Sequence, residues 1–325
     1  MTNNKKSQTL KDALSSVFAV SAILVALAAS IVIFIYVFGN PANFEGNNPE
    51  GNPLPGNFLA MVYKGGPIVP ILLTCLFVLI IFTLERLITI EIARGGSNAG
   101  LKLGLRLLTF LVATVAFIVL LVVKSMALGF GLLVLAIAIF VFLSFALNKR
   151  NAGEFLRNLQ TLLSTDRIEE AIAECDKQRG SIANVAKSTL SKYRALQNDA
   201  NLDKEQKVLV LQKEFDEAAT LEAPMLSKNL VFLSTISSLA VLIGLLGTVF
   251  GMIRAFAALA QAGAPDALAL ANGISEALIN TAFGIAGSAG AIILYNYFSS
   301  IIDGMTFRID EAGFSIVETF KANTK

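Results

Sequence analysis

The chain has 325 residues, of which 55% are hydrophobic and 15% charged, and its formal net charge is +2. A mean hydropathy of +0.68 excludes an ordinary water-soluble domain, and the near-neutral charge without basic, aromatic-interleaved tracts excludes a nucleic-acid partner. The absence of histidine removes the commonest metal ligand and general base, and two cysteines, Cys75 and Cys175, offer neither zinc spacing nor a disulfide framework.

Residues 1–16 are polar, with Lys5, Lys6 and Lys11 before the first apolar run. That run, 17–39, carries no charge and is too long for a signal-peptide core, so it predicts a retained transmembrane helix. Residues 40–64 begin as a loop rich in Asn, Gly and Pro and end in a short amphipathic piece from Asn57 to Lys64, which together predict a periplasmic segment. The next span, 65–93, opens on Gly65-Gly66-Pro67 and closes on Glu85-Arg86-Leu87 and Arg94. Residues 103–147 read as a tight transmembrane hairpin turning at Lys124. A single helix of about 40 apolar residues would reach ~60 Å, twice the hydrocarbon core.

Residues 148–228 are the one sizeable polar region. Apolar positions recur at helical spacing through Phe155, Leu159, Leu163, Ile168 and Ala171. Asp166 is expected to cap one helix and Asp203 another, a long one holding Pro224 and leading into the next span. Residues 229–302 form a second transmembrane hairpin, and 303–325 an amphipathic C-terminal helix. The expected fold is therefore an all-α polytopic bundle of six spans with a helical cytoplasmic domain. Lys5, Lys6, Lys11, Arg86, Arg94, Lys102, Arg106, Lys149, Arg150 and Arg308 fall on one side and Glu45, Glu50 and Asp266 on the other, which predicts both termini in the cytoplasm.

The hairpin at 229–302 is too polar for a simple anchor. Its two cores, 229–253 and 277–302, contain no charged residue, yet hold Gly244, Gly247, Thr248 and Gly251, then Asn280, Thr281, Gly284, Gly287 and Ser288. Small residues let helices approach in lipid, and hydroxyls need partners or an aqueous path. Thr281 and Ser288, seven apart, share a face; so do Glu276 and Asn280, four apart; Thr281 lies about 140° from Glu276. Gly244, Thr248 and Gly251 make a matching stripe. Each threonine can line a pathway or simply bond the carbonyl one turn back. Glu276 can belong to a pathway or sit solvated at the outer interface; Arg254, near the outer end of the preceding helix, can pair with Asp266, Glu276 or a second protein. No acid–base pair or metal cluster supports an enzyme, and no cofactor is expected.

The motifs Ile243-Gly-Leu-Leu-Gly-Thr-Val-Phe-Gly251, Gly273-Ile-Ser-Glu-Ala-Leu-Ile-Asn-Thr-Ala-Phe-Gly284 and Tyr295-Asn296 resemble the MotA/TolQ/ExbB proton channel family, closest to its ExbB/TolQ branch. The segments Gly65–Leu73, Glu85–Leu87 and Ala171–Asp176 extend the resemblance. It implies a homopentamer around a dimer of single-span, ExbD/TolR-like partners in the inner membrane of a Gram-negative bacterium. Protons, moving between a partner aspartate and the ring, would energise a TonB/TolA-like transducer. By motif, Thr248 and Thr281 match the family's lumen threonines and Glu276 its hairpin carboxylate; Asn280 stands where a small apolar residue is usual. The spans at 17–39 and 107–147 are additions expected to face lipid at the periphery. Rival readings are a non-conducting scaffold, a stator for gliding or flagellar motility, and a small-molecule transporter, which would show an inverted repeat.

Overall fold

The computed structural model describes residues 19–95, 104, 151–197, 201–260 and 267–323. Nine helices among them are used below: α1 (Ala19–Phe38), α2 (Phe58–Tyr63), α3 (Val69–Arg94), α4 (Asn151–Ser164), α5 (Ile168–Gln178), α6 (Ser181–Gln197), α7 (Lys204–Ser227), α8 (Leu230–Leu259) and α9 (Ala267–Asn323). No strand occurs among the described residues, so the fold is all-α as expected. Four stretches are long and apolar enough to cross a membrane: Ala19–Phe38, Gly66–Arg94, and parts of Lys204–Leu259 and Ala267–Asn323. The expected hairpin at 103–147 and the N-terminal 1–16 lie outside the described residues.

The described residues 19–83 and 231–295 form one compact unit. Within it, Ala19, Ala22, Ala26 and Ser30 of α1 fall three or four apart, share a face and are buried. The Ser30 hydroxyl meets that of Thr74 on α3 at 2.7 Å. Most of the remaining surface of α1, including Val20, Leu24, Val25 and Val32, is exposed and apolar. The lipid-facing expectation therefore describes only part of this helix. Its other face is a small-residue seam with a hydroxyl that finds a partner, which a count of apolar residues does not reveal.

Asparagines organise the segment after α1. The Asn43 amide donates to the carbonyls of Val37 and Phe38, at 2.9 and 3.2 Å, satisfying the helix end. Asn57 accepts from Leu59 and Ala60 as the N-cap of α2 and donates to Asn43 at 3.0 Å. Phe34 stacks on Tyr63 with centroids 4.8 Å apart. Val62, Val69 and Leu73 form a buried cluster against which Phe34, Phe38, Phe58, Phe77 and Phe283 pack. The loop chemistry of Asn, Gly and Pro thus builds a closed corner between α1 and α3.

Residues 84–95, 151–197, 201–230 and 296–323 form the second unit. Its core includes Leu159 and Leu163 of α4, Ala171 and Cys175 of α5, Leu190 and Tyr193 of α6, Leu211 of α7, and Ile316 and Phe320 of α9. Tyr193 meets Phe320 edge to face at 4.7 Å. Gly95 and Gly180 both have positive φ, +65° and +88°, and lie backbone to backbone: a methyl on Gly180 would come 2.8 Å from the Gly95 nitrogen. This contact joins the end of α3 to the α5–α6 turn.

Two capping expectations separate here. Asp203 accepts from the Gln206 amide at 2.7 Å and Gln206 answers on the Asp203 amide, a complete capping box on α7. Asp166 does not cap α5. The residue at that position is Arg167, and Asp166 has φ +54°. Its amide bonds Leu163 O and the Arg167 amide bonds Leu162 O, so Asp166 closes α4 in the left-handed conformation instead. Pro224 lies inside α7, which ends at Ser227 rather than running on into α8; Asn229, at φ +62°, separates the two helices. In contrast, α9 passes unbroken through 302–303.

Cys175 is 2% exposed, and burial, reinforced by the Asp176 charge, pushes its thiol up to about 12. Only the thiolate reacts readily. At pH 8, maleimide labelling of Cys175 in a Cys75→Ala background is expected to be roughly a thousandfold slower in the folded protein than in the denatured chain. Equal labelling rates in the two states would contradict the burial.

Candidate functional site

Helices α8 and α9 pack against one another along glycines. A methyl on Gly284 would come 2.7 Å from Ala240 O and 2.9 Å from Gly244 Cα, and one on Gly251 would come 2.7 Å from both Ala277 N and Gly273 O. Such distances bring backbone to backbone, which requires the absence of a side chain. Gly247 serves differently: Asn280 fills the space where its side chain would be, with Asn280 Cβ 2.5 Å from an added methyl. Gly287 has room to spare, since its nearest neighbour is Ala240 Cβ at 3.5 Å. Gly273, not singled out by spacing, completes the seam.

The close approach places the two threonines together. Thr248 Oγ1 hydrogen bonds to Thr281 Oγ1. Each is also 3.2 Å from the carbonyl one turn back, Gly244 O for Thr248 and Ala277 O for Thr281. The contact between the two hydroxyls and the bonds to the local carbonyls therefore involve the same atoms. Two hydroxyl protons serve three contacts, so at any moment one of the three lacks a proton. Ser288, on the Thr281 face, donates to Ser237 O of α8.

The second face gathers the ionisable group. Arg254 Nη1 lies 2.8 Å from both carboxylate oxygens of Glu276. The Glu276 side chain is 6% exposed, whereas that of Arg254 is 54% exposed. Glu276 is thus buried against Arg254, one of the partners that its position allowed. Asn280, fully buried, donates its amide to Gly65 O at 2.8 Å. Gly65 and Gly66 were legible only as the start of a span; their contact with α9 runs through a main-chain carbonyl, which no side-chain pattern announces. Asp266, the other proposed partner of Arg254, lies outside the described residues. No cluster of three or more potential metal ligands occurs among the described residues.

Comparison with known proteins centres on this same region. Residues 179–311 match the sequence model of the MotA/TolQ/ExbB proton channel family. The chain is 34% identical over 85 residues to a biopolymer transport protein ExbB of Pseudomonas putida, covering 26% of each chain. It is 40% identical over 83 residues to a Tol-Pal system protein TolQ of Pseudomonas aeruginosa, covering 26% of this chain and 36% of that one. A Tol-Pal system protein TolQ of Haemophilus influenzae is 40% identical over 82 residues, 25% of this chain and 36% of the relative. The chain therefore spans between a quarter and two fifths of the length of these relatives. The matched region takes in α6, α7, the glycine seam, both threonines, Glu276 and Asn280. Over residues 179–311, the chain is similar to the MotA/TolQ/ExbB proton channel family.

Proposed function

We propose that this protein is an ExbB/TolQ-like subunit of a proton-driven complex in the inner membrane of a Gram-negative bacterium, with both termini in the cytoplasm. The observation that carries the proposal is the Thr248–Thr281 hydroxyl contact, held by the glycine seam inside the matched segment. The hairpin cores 229–253 and 277–302 contain no Asp, Glu, Lys or Arg. Hydroxyls alone make a poor proton store, so the carboxylate that is protonated and released belongs to a second protein. A dimer of single-span, ExbD/TolR-like helices, enclosed by a homopentamer of this chain, supplies it. The output is work on a TonB/TolA-like transducer serving outer-membrane transport or envelope maintenance. The chain itself catalyses no covalent reaction and uses no cofactor.

The test is Thr248→Val combined with Thr281→Val. Valine keeps the volume and branching of threonine while removing the hydroxyl. Proton flux in vesicles containing this subunit and its partner is expected to fall at least tenfold, with transducer-dependent uptake falling in parallel at unchanged expression. Unchanged flux and uptake would overturn the proposal in favour of a non-conducting scaffold. That reading has its own support, because each threonine is also within bonding distance of its helix's carbonyl.

A further inference from the structure

The Gly65–Gly66 corner lies against a face of α9 that carries both a carboxylate, Glu276, and an amide, Asn280. The contacts come from two directions. Asn280, with no exposed surface, reaches across to Gly65 O at 2.8 Å. One turn earlier on α9, the Glu276 carboxylate lies against Gly66: a methyl there would come 2.5 Å from Glu276 Oε1 and 3.3 Å from Arg254 Nη1. Gly66 has φ +74°, a conformation that side chains rarely adopt, so the corner is shaped to pass beside the carboxylate. The third side of the arrangement is Gly247, whose missing side chain is the space that Asn280 occupies.

The amide is used asymmetrically. Its nitrogen is bonded, while its oxygen is buried with no hydrogen-bond partner. An apolar residue of the same shape would avoid burying that oxygen unpaired. What an apolar residue cannot do is donate to Gly65 O. The donation is therefore the property that distinguishes Asn280 at this position.

We propose that Asn280 is a positioning residue: by donating to Gly65 O, it latches the Gly65–Gly66 corner onto α9 and thereby holds the Glu276 carboxylate in place against Arg254. The latch stands on geometry alone; its consequence for flux rests on the proton-conducting reading above. The groups that Asn280 acts through are backbone atoms of the corner, so its loss leaves Glu276 and Arg254 chemically intact but removes one wall beside them.

The test uses Asn280→Leu, which keeps the shape and removes the donor, in the full chain reconstituted in lipid nanodiscs. Hydrogen exchange of the amides from Val62 to Val69 is expected to accelerate at least tenfold, while exchange in α6 stays as in the wild type. A packing role alone would leave the corner protected, so unchanged exchange at the corner overturns the proposal. Acceleration of α6 as well would mean general unfolding; Asn280→Gln, which keeps the amide donor and has the reach to meet Gly65 O, then decides, and it must return corner protection toward wild type or the proposal fails. With partner present, proton flux through Asn280→Leu is expected to drop about tenfold. Full flux together with a loosened corner would overturn the link to Glu276. Absence of flux in the wild type would count against the conducting reading instead, with corner exchange still deciding the latch.

Discussion

Replacing Arg86 by alanine is expected to destabilise the protein by about 3 to 5 kcal/mol, the range for breaking a buried ion pair from one side. Arg86 has no exposed surface. Its Nε and Nη2 meet the two carboxylate oxygens of Glu85 at 2.7 and 2.5 Å, and its Nη1 donates to Leu226 O at 3.1 Å. Leu226 is the last residue but one of α7, so its carbonyl has no partner four residues on within that helix. Alanine would strand both acceptors and leave a cavity the size of the guanidinium and its stem. Glu85 keeps a bond from Thr89 Oγ1 at 2.8 Å and is 22% exposed on its side chain, which places the cost toward the lower end of the range. Denaturant unfolding in detergent, followed by the loss of helical signal, measures it. Arg86→Met combined with Glu85→Gln removes the stranded charge and should recover most of the loss. The remainder reports the unmet Leu226 carbonyl, worth about 1 kcal/mol. A single Arg86→Ala variant as stable as wild type would show that the pair contributes nothing.

Gly284→Val is expected to be nearly as damaging, and for a different reason. Three atoms lie within 3.3 Å of an added methyl on Gly284, and all are backbone: Ala240 O, Gly244 Cα and Gly244 N. No rotamer change relieves such a clash. The helices must move apart, and a separation of even 1 Å forfeits contacts along the whole seam. The destabilisation should reach about 3 kcal/mol, the upper end for overpacking. Separation would also pull Thr281 from Thr248, three residues away on the same seam, so any remaining folded protein should lose flux as the double valine variant does. Gly287→Ala supplies the control, since its nearest neighbour stands at ordinary contact distance. It should change stability by less than about 0.5 kcal/mol. The two variants compared by thermal unfolding in detergent decide the point; equal stabilities would contradict the seam.

What could be read in the sequence follows the reach of helical periodicity. Residues three, four or seven apart share a face, so the grouping of Thr248 with Gly244 and Gly251, and of Glu276 with Asn280, needed only counting. Capping chemistry is equally local, and Asp203 with Gln206 formed the expected box. The readings failed where a residue had two local choices. Asp166 stands three residues before Glu169, as a cap should, but it also follows the end of α4, and closing that helix in the left-handed conformation took precedence. Legibility ended altogether with contacts made through the main chain. The Asn280 bond to Gly65 O spans 215 residues, and the Arg86 bond to Leu226 O spans 140; neither acceptor has a side chain that advertises it. The buried stripe on α1 was hidden in another way, because alanine counts as apolar whether it faces lipid or a helix. Only its regular recurrence at 19, 22 and 26, ending on Ser30, marks the packed side.

The hydroxyl contact between Thr248 and Thr281 has no fixed polarity. Thr248 can donate to Thr281 while Thr281 donates to Ala277 O, or Thr281 can donate to Thr248 while Thr248 donates to Gly244 O. The two arrangements exchange by rotation of two hydroxyls, with no heavy atom displaced. The carbonyl that lacks a hydroxyl donor, while keeping its bond within its own helix, alternates between α8 and α9 as they exchange. A group arriving beside the pair therefore meets a dipole that can turn toward it in either sense, while the α8–α9 backbone stays still.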